Sequence, residues 1–207
     1  MKFVLFVEGH TEKALPEFLK RWLDPRLAKP VGIKTVCFDG WQELVKDSPK
    51  KAAMHLEGLE KDDIIAVIAV IDLYGPTFYP SNMKTSDERC AWAKIDLEKK
   101  VGHPKFYQFF AVHETEAWLL SAPDILPVEV KNALPGKAVN PEKVNFDEPP
   151  AKLLERLYNL KTGRRYKKVT HGKELFSRHD PNVAYGKCPR FRELLDKMLE
   201  LAEGAEE

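Results

Sequence analysis

The sequence predicts an α/β fold, a mainly parallel sheet flanked by helices, with a C-terminal extension made mostly of helices and loops. Three observations predict it. Short apolar runs alternate with segments of helical periodicity through residues 1–122. One run, Ile64–Ile71, is continuously apolar and largely β-branched, as suits a central parallel strand buried on both faces. Strands separated by helices are joined by right-handed crossovers, and that arrangement gives parallel pairing. From residue 123 the chain changes character, so it divides into an α/β core over 1–122 and an extension over 123–207 packed on that core.

The elements follow in order. Lys2–Val7 is an apolar run rich in Phe and Val and forms the first strand, stopped by Glu8-Gly9-His10. Thr11 offers an N-cap, and Ala14, Leu15, Phe18, Leu19 and Trp22 recur at helical spacing until Asp24-Pro25. Ile33–Phe38 is the second strand, closed by Asp39-Gly40. Trp41 to about Glu60 reads as helix with a break near Ser48-Pro49. Ile64–Ile71 ends at Asp72, Gly75–Ser81 is loop, and Asp87–Val101 is helix. Phe106–Val112 is a further strand, leading through His113-Glu114-Thr115-Glu116 into a short helix, Ala117–Leu120. A proline-rich connection spans Pro123 to Pro150. Ala151–Leu160 is then helical, Lys161–Lys173 a basic loop and Phe191–Ala202 an amphipathic helix, before an acidic tail from Glu203.

Composition bounds the function classes. With 207 residues, 43% hydrophobic and 31% charged, the chain is globular and large enough for one substantial core. A net charge of +1 gives no global attraction to nucleic acid, so any such surface must be local. The three cysteines, Cys37, Cys90 and Cys188, are scattered, which argues against a disulfide framework and a structural zinc site. No stretch approaches the roughly 18 apolar residues of a membrane span, and the opening apolar run is too short for a signal peptide. The expected location is a reducing cytoplasm. Neither a phosphate-binding GxxxxGK[ST] nor a dinucleotide GxGxxG follows a strand, so ATP and dinucleotide chemistry are not indicated.

In a parallel α/β sheet, ligands bind at the carboxyl ends of the strands. Three strands end in acids here: Glu8, Asp72 and the pair Glu114/Glu116. Carboxylates converging on one sheet edge suit a hard cation such as Mg²⁺ or Mn²⁺. Thr11 and Glu12 also have plain structural readings, as helix cap and dipole-compensating charge. Glu116 can equally be a helix N-terminal charge beside a core tryptophan. His10, His113 and His171 have no ligand spacing, Cys188 has no partner base, and Trp22, Trp92 and Trp118 lie in helical apolar stripes as core. The segment from Lys161 to Lys173 carries Lys161, Arg164, Arg165, Lys167, Lys168 and Lys173 with no acid, and it also holds Tyr166 and His171. It suits a phosphate backbone and a stacked base, or a solvated loop.

The opening Val7-Glu8-Gly9-His10-Thr11-Glu12, followed by a strand ending at Asp72, resembles the Toprim domain of topoisomerases, primases and OLD-type nucleases. The resemblance implies a metal-site and acid/base role for Glu8, a supporting ligand at Glu12 and a ligand at Asp72. That family's Asp-x-Asp is incomplete, because the sequence reads Asp72-Leu73-Tyr74. A closer resemblance, over nearly the whole chain, is to small bacterial Toprim-like proteins of the DUF4276 type. It rests on Val7–Glu12, Val70–Leu73, Val112–Leu120 and Cys188-Pro189-Arg190-Phe191. On it, Glu116 replaces the missing second aspartate.

The leading expectation is a Toprim-like, Mg²⁺- or Mn²⁺-dependent nuclease acting on DNA or RNA. Its catalytic residues are Glu8, Asp72 and Lys167, and its metal ligands Glu8, Glu12, Asp72 and Glu116. The nucleic-acid contacts are Lys161, Arg164, Arg165, Lys167, Lys168 and His171. The resemblance also admits a phage-defence effector working beside an ATPase partner. The alternative is a non-catalytic Toprim-scaffold subunit of an ATPase or nucleic-acid-processing complex, which Tyr74 favours. A phospho-acceptor domain built on Asp72 fits the lone Glu8 and the proline-rich half poorly.

Overall fold

A computed structural model describes residues 1–9, 11–144 and 147–205, with Thr11 and Glu12 described in backbone only. The expectations placed on His10 and on the Thr11 and Glu12 side chains therefore lie outside the described residues. Four strands, β1 (Lys2–Val7), β2 (Gly32–Cys37), β3 (Ile64–Asp72) and β4 (Phe106–Ala111), form one parallel sheet in the order β2-β1-β3-β4. Every residue from Ile64 to Ile71 is buried, as the continuous apolar run requires. Val7 pairs with both Cys37 and Val70, and Asp72 with Ala111, so the strands end nearly level.

Alternation along β1 sorts the core into two layers. Val4 and Phe6 face the side covered by α2 (Trp41–Leu56) and α3 (Ser86–Val101). Phe3, Leu5 and Val7 face the other side. That side is covered by α1 (Leu15–Leu23), α4 (Glu116–Leu120), α6 (Pro150–Thr162), α7 (Lys173–Arg178) and α9 (Pro189–Glu203). The smaller α5 (Val128–Lys131) and α8 (Pro181–Lys187) complete it. Aromatic packing ties these helices together: Phe18 of α1 stacks on Phe191 of α9 at 5.4 Å and meets Phe176 of α7 edge-on at 5.0 Å. Trp118 of α4 also packs on Phe191, at 4.6 Å. Apart from α1, the helices that cover this face all come from the second half of the chain.

Local sequence explains most element ends. In α3, Thr85 and Glu88 form a reciprocal capping box, and Gly102 closes the helix at φ 69°. The prolines at the first turns of α1, α6, α8 and α9 cost no hydrogen bond there. Pro16 also places the start of α1 later than Thr11, behind a 3₁₀ turn over Thr11–Ala14.

Two sequence expectations need correction. The helix expected to break near Ser48-Pro49 runs unbroken through Pro49, because Leu44, Ser48, Ala52 and Leu56 bury one continuous face. The Ser48 hydroxyl donates to the Leu44 carbonyl at 2.6 Å, satisfying a polar group inside that face. The basic stretch is not one loop: α6 extends to Thr162, Lys168–Gly172 forms a π-helical turn, and α7 starts at Lys173. Among the described residues no helix is long and apolar enough to cross a membrane.

The chain leaves β1 toward β2 on one side and returns to β3 on the other. The carboxyl ends of β1 and β3 therefore flank the switch point, where an open parallel sheet leaves a crevice.

Candidate metal centre

Glu8 follows the last residue of β1, and Asp72 is the last residue of β3. The Glu8 carboxylate accepts the Asp72 backbone N–H at 2.7 Å, which ties the two strand ends together across the switch point. Asp72 in turn accepts the Thr115 backbone N–H at 3.0 Å. That bond fixes the short turn after β4, in which Glu114 and Glu116 are both buried. Carboxylate oxygens of Asp72, Glu114 and Glu116 thereby lie within 4.8 Å of one another.

A lysine already stands among them. The Lys168 ammonium is 3.2 Å from Glu114, 3.3 Å from Glu116 and 4.0 Å from Asp72. Burial works against its charge, but the fields of Glu116, Asp72 and Glu114 outweigh that and hold its pKa above the ordinary lysine value. The second Glu114 oxygen accepts the Ala151 backbone N–H at 2.7 Å, in the first turn of α6, where a negative charge is favoured. Glu116 is 1% exposed, and its Oε1 has no hydrogen-bond partner among the described residues. Burial pushes its pKa up to about 7; Lys168 opposes that shift and Glu114 adds to it. Buried Tyr166 lies against the same carboxylate, and burial together with the Glu116 charge raises its phenol pKa.

The fit to a divalent cation can be judged from these groups. The donors are hard carboxylate oxygens, close enough together to share one ion. Three clustered carboxyl groups face the single Lys168 ammonium, so the cluster holds more acid than base. An orphaned, buried Glu116 oxygen is costly unless something binds it. A divalent cation meets all three conditions.

The placements of the expected site residues divide. Asp72 and Glu116 come together, while Glu8 supports the Asp72 amide and is not one of the three clustered carboxylates. Glu114 completes the cluster; as one of two acids after β4 it was visible in the sequence, but nothing there chose it over Glu116. Lys168, not Lys167, reaches the carboxylates, while the Lys167 side chain is exposed and its backbone N–H donates to His171 Nδ1 at 2.8 Å. Arg165, Lys167 and Lys168 line a cleft of about 400 Å³ that adjoins Glu114. Lys161, Arg164 and His171 instead line a cleft of about 880 Å³ bordered by α6 and α7. His113 is buried and driven down to about 4 by burial and by Arg89. Cys188, Trp22 and Trp118 are buried in the core, and Trp92 packs partly buried against it.

A family model described as DUF4276, a domain of unknown function, matches residues 7–199. The chain belongs to the DUF4276 family. No curated protein matches this DUF4276 chain in sequence. Among solved structures, it is similar to the C-terminal region of the Burkholderia pseudomallei OLD protein, at 16% identity and a TM-score of 0.49, with 98% of each chain covered.

Proposed function

We propose that this DUF4276 protein is a nuclease that uses Mg²⁺ or Mn²⁺ to hydrolyse phosphodiesters of DNA or RNA. The observation that carries the reading is the meeting of Asp72, Glu114 and Glu116 at the switch-point edge, with one buried Glu116 oxygen left unsatisfied. The Toprim-like opening at Glu8 and Glu12 points the same way. Asp72, Glu114 and Glu116 would hold the cation, with Glu12 as a supporting ligand.

When bound, a divalent cation supplies charge neutralisation at the scissile phosphate and activation of a water. The protein's own groups do the remaining work. The Glu8–Asp72–Thr115 hydrogen bonds set the carboxylates before substrate arrives, so little reorganisation is needed during reaction. Glu8, tied to the end of β3 through the Asp72 amide, would be the group placed to accept a proton from an attacking water. Lys168 offers its ammonium to the phosphate oxygens as negative charge grows on them. Arg165 and Lys167 form the near part of the substrate clamp, and Lys161, Arg164 and His171 the far part. Work beside an ATPase partner in phage defence is compatible with this chemistry.

One observation favours a second reading. Lys168 already pairs with all three acids, as in a purely structural ion cluster. The chain would then be a non-catalytic scaffold subunit, and Tyr74 in place of an aspartate agrees. Titrating Mg²⁺ or Mn²⁺ against purified protein with labelled single-stranded DNA, double-stranded DNA and tRNA separates the two. Metal-dependent cleavage that disappears in Glu8→Gln and Glu116→Gln is expected for the nuclease. No cleavage together with no calorimetric heat of metal binding assigns the scaffold role.

A further inference from the structure

The cleft of about 400 Å³ beside the carboxylates is lined by Lys152, Arg165, Lys167 and Lys168 against Glu114 and Glu155. Arg165 is paired with Glu155 at 3.2 Å, and Lys168 with the acid cluster. The two remaining cations are exposed. Lys152, in the first turn of α6, donates to the Tyr74 hydroxyl at 2.8 Å, and its ammonium lies 5.1 Å from the Tyr74 ring centroid. The Lys167 ammonium has no partner among the described residues. Tyr74 is two residues beyond Asp72, the position at which an Asp-x-Asp motif would carry its second acid. Here that position presents a neutral hydroxyl that holds a lysine. A second carboxylate there would attract a cation; the tyrosine–lysine pair attracts an anion.

We propose that Tyr74, Lys152 and Lys167 form a phosphate subsite, which holds the backbone phosphate next to the one lying at the carboxylates. This rests on the nuclease reading for the direction of the strand, but the subsite binds through its own charges and needs no metal. The cleft has the volume of small-ligand pockets and adjoins the carboxylate cluster through Glu114 and Lys168, which fits one nucleotide unit of a strand. Lys152 supplies a point charge, Tyr74 fixes where that charge stands, and Lys167 adds a second exposed cation to the same cleft.

The test is fluorescence anisotropy of a fluorescein-labelled ten-nucleotide DNA single strand, and of its RNA counterpart, in EDTA over a range of salt. Lys152→Ala is expected to weaken binding about tenfold and to reduce the slope of log K against log salt by about 0.7, the loss of one phosphate contact on a single strand. Lys152→Arg keeps the slope, Tyr74→Phe weakens binding about threefold, and Lys99→Ala, on α3 across the sheet, changes nothing. Calorimetry with Mn²⁺ should give the same affinity for Lys152→Ala as for wild type, whereas Glu116→Gln loses it. Wild-type affinity and slope in Lys152→Ala would overturn the subsite, as would absence of strand binding by the wild type. Loss of the nuclease reading would show instead as Mn²⁺ binding that ignores Glu116→Gln.

Discussion

Replacing Lys168 by methionine removes the one ammonium that stands among Asp72, Glu114 and Glu116 while keeping most of its apolar stem. At an effective dielectric of about 20, each of the two nearer contacts, at 3.2 and 3.3 Å, corresponds to about 5 kcal/mol of gross attraction, and the 4.0 Å contact to about 4 kcal/mol. Desolvation of the lysine and the acids cancels most of that sum, so the intact cluster contributes little net stability. Removing only the cation is different, because the three clustered acids lose the ammonium they share. The expected loss is about 1 to 3 kcal/mol, below the roughly 3 to 5 for breaking a fully buried pair, because the Lys168 side chain is 37% exposed and Glu116 can take up a proton. Urea denaturation at neutral pH in EDTA measures it, with the wild type as reference. Adding Mg²⁺ should return stability preferentially to Lys168→Met, by about 2.7 kcal/mol at a hundredfold excess over the dissociation constant. A variant as stable as wild type in EDTA would show that Lys168 is not the counter-charge of the cluster. A destabilised variant that gains nothing from Mg²⁺ or Mn²⁺ would show that the carboxylates do not accept a divalent ion.

Other consequences can be measured in the same preparations. Glu8→Gln retains an acceptor for the Asp72 amide, so the melting temperature should stay within a few degrees while cleavage falls at least a hundredfold; equal losses of fold and activity would make Glu8 structural only. Glu142 accepts the Arg190 amide with both oxygens at 3.1 Å, and burial raises its pKa to about 7. For an acid raised above its unfolded value, the stability contribution is complete below about pH 4.5 and is lost as pH rises through about 7. Wild type should therefore lose up to about 3 kcal/mol relative to Glu142→Gln between pH 5 and pH 8, and parallel stability curves would refute the assignment. Trp118→Ala removes a 1%-exposed side chain packed on Phe191 and should cost about 3 to 5 kcal/mol in denaturant titration; a loss below about 1 kcal/mol would mean that the α4–α9 contact carries no weight.

The strands were legible because each is a compact apolar run and β3 is apolar on both faces. Their ends were legible too, and with them Glu8, Asp72, Glu114 and Glu116. What periodicity does not carry is partnership across the fold. Lys167 and Lys168 are neighbours in one basic stretch, and only the path from α6 through the π-helical turn decides which of them turns inward. Lys152 was invisible for the same reason, since its partner Tyr74 is 78 residues away. The helices α5, α7 and α8 are too short to display a helical period. The helix through Pro49 survives because burial of its inner face outweighs one missing backbone bond, a tertiary effect that a local rule cannot weigh.

The split of the core between two faces of the sheet also orders events in time. The layer built on Val4, Phe6, α2 and α3 is complete once Val112 has left the ribosome. The opposite layer needs Trp118, Phe176, Phe191 and Met198 before Phe3, Leu5 and Val7 are shielded from water. Until the residues beyond α4 are made, the sheet is therefore covered on one side and shielded on the other by little more than α1. That exposure ends only when α9 docks across α1, through the stack of Phe191 on Phe18.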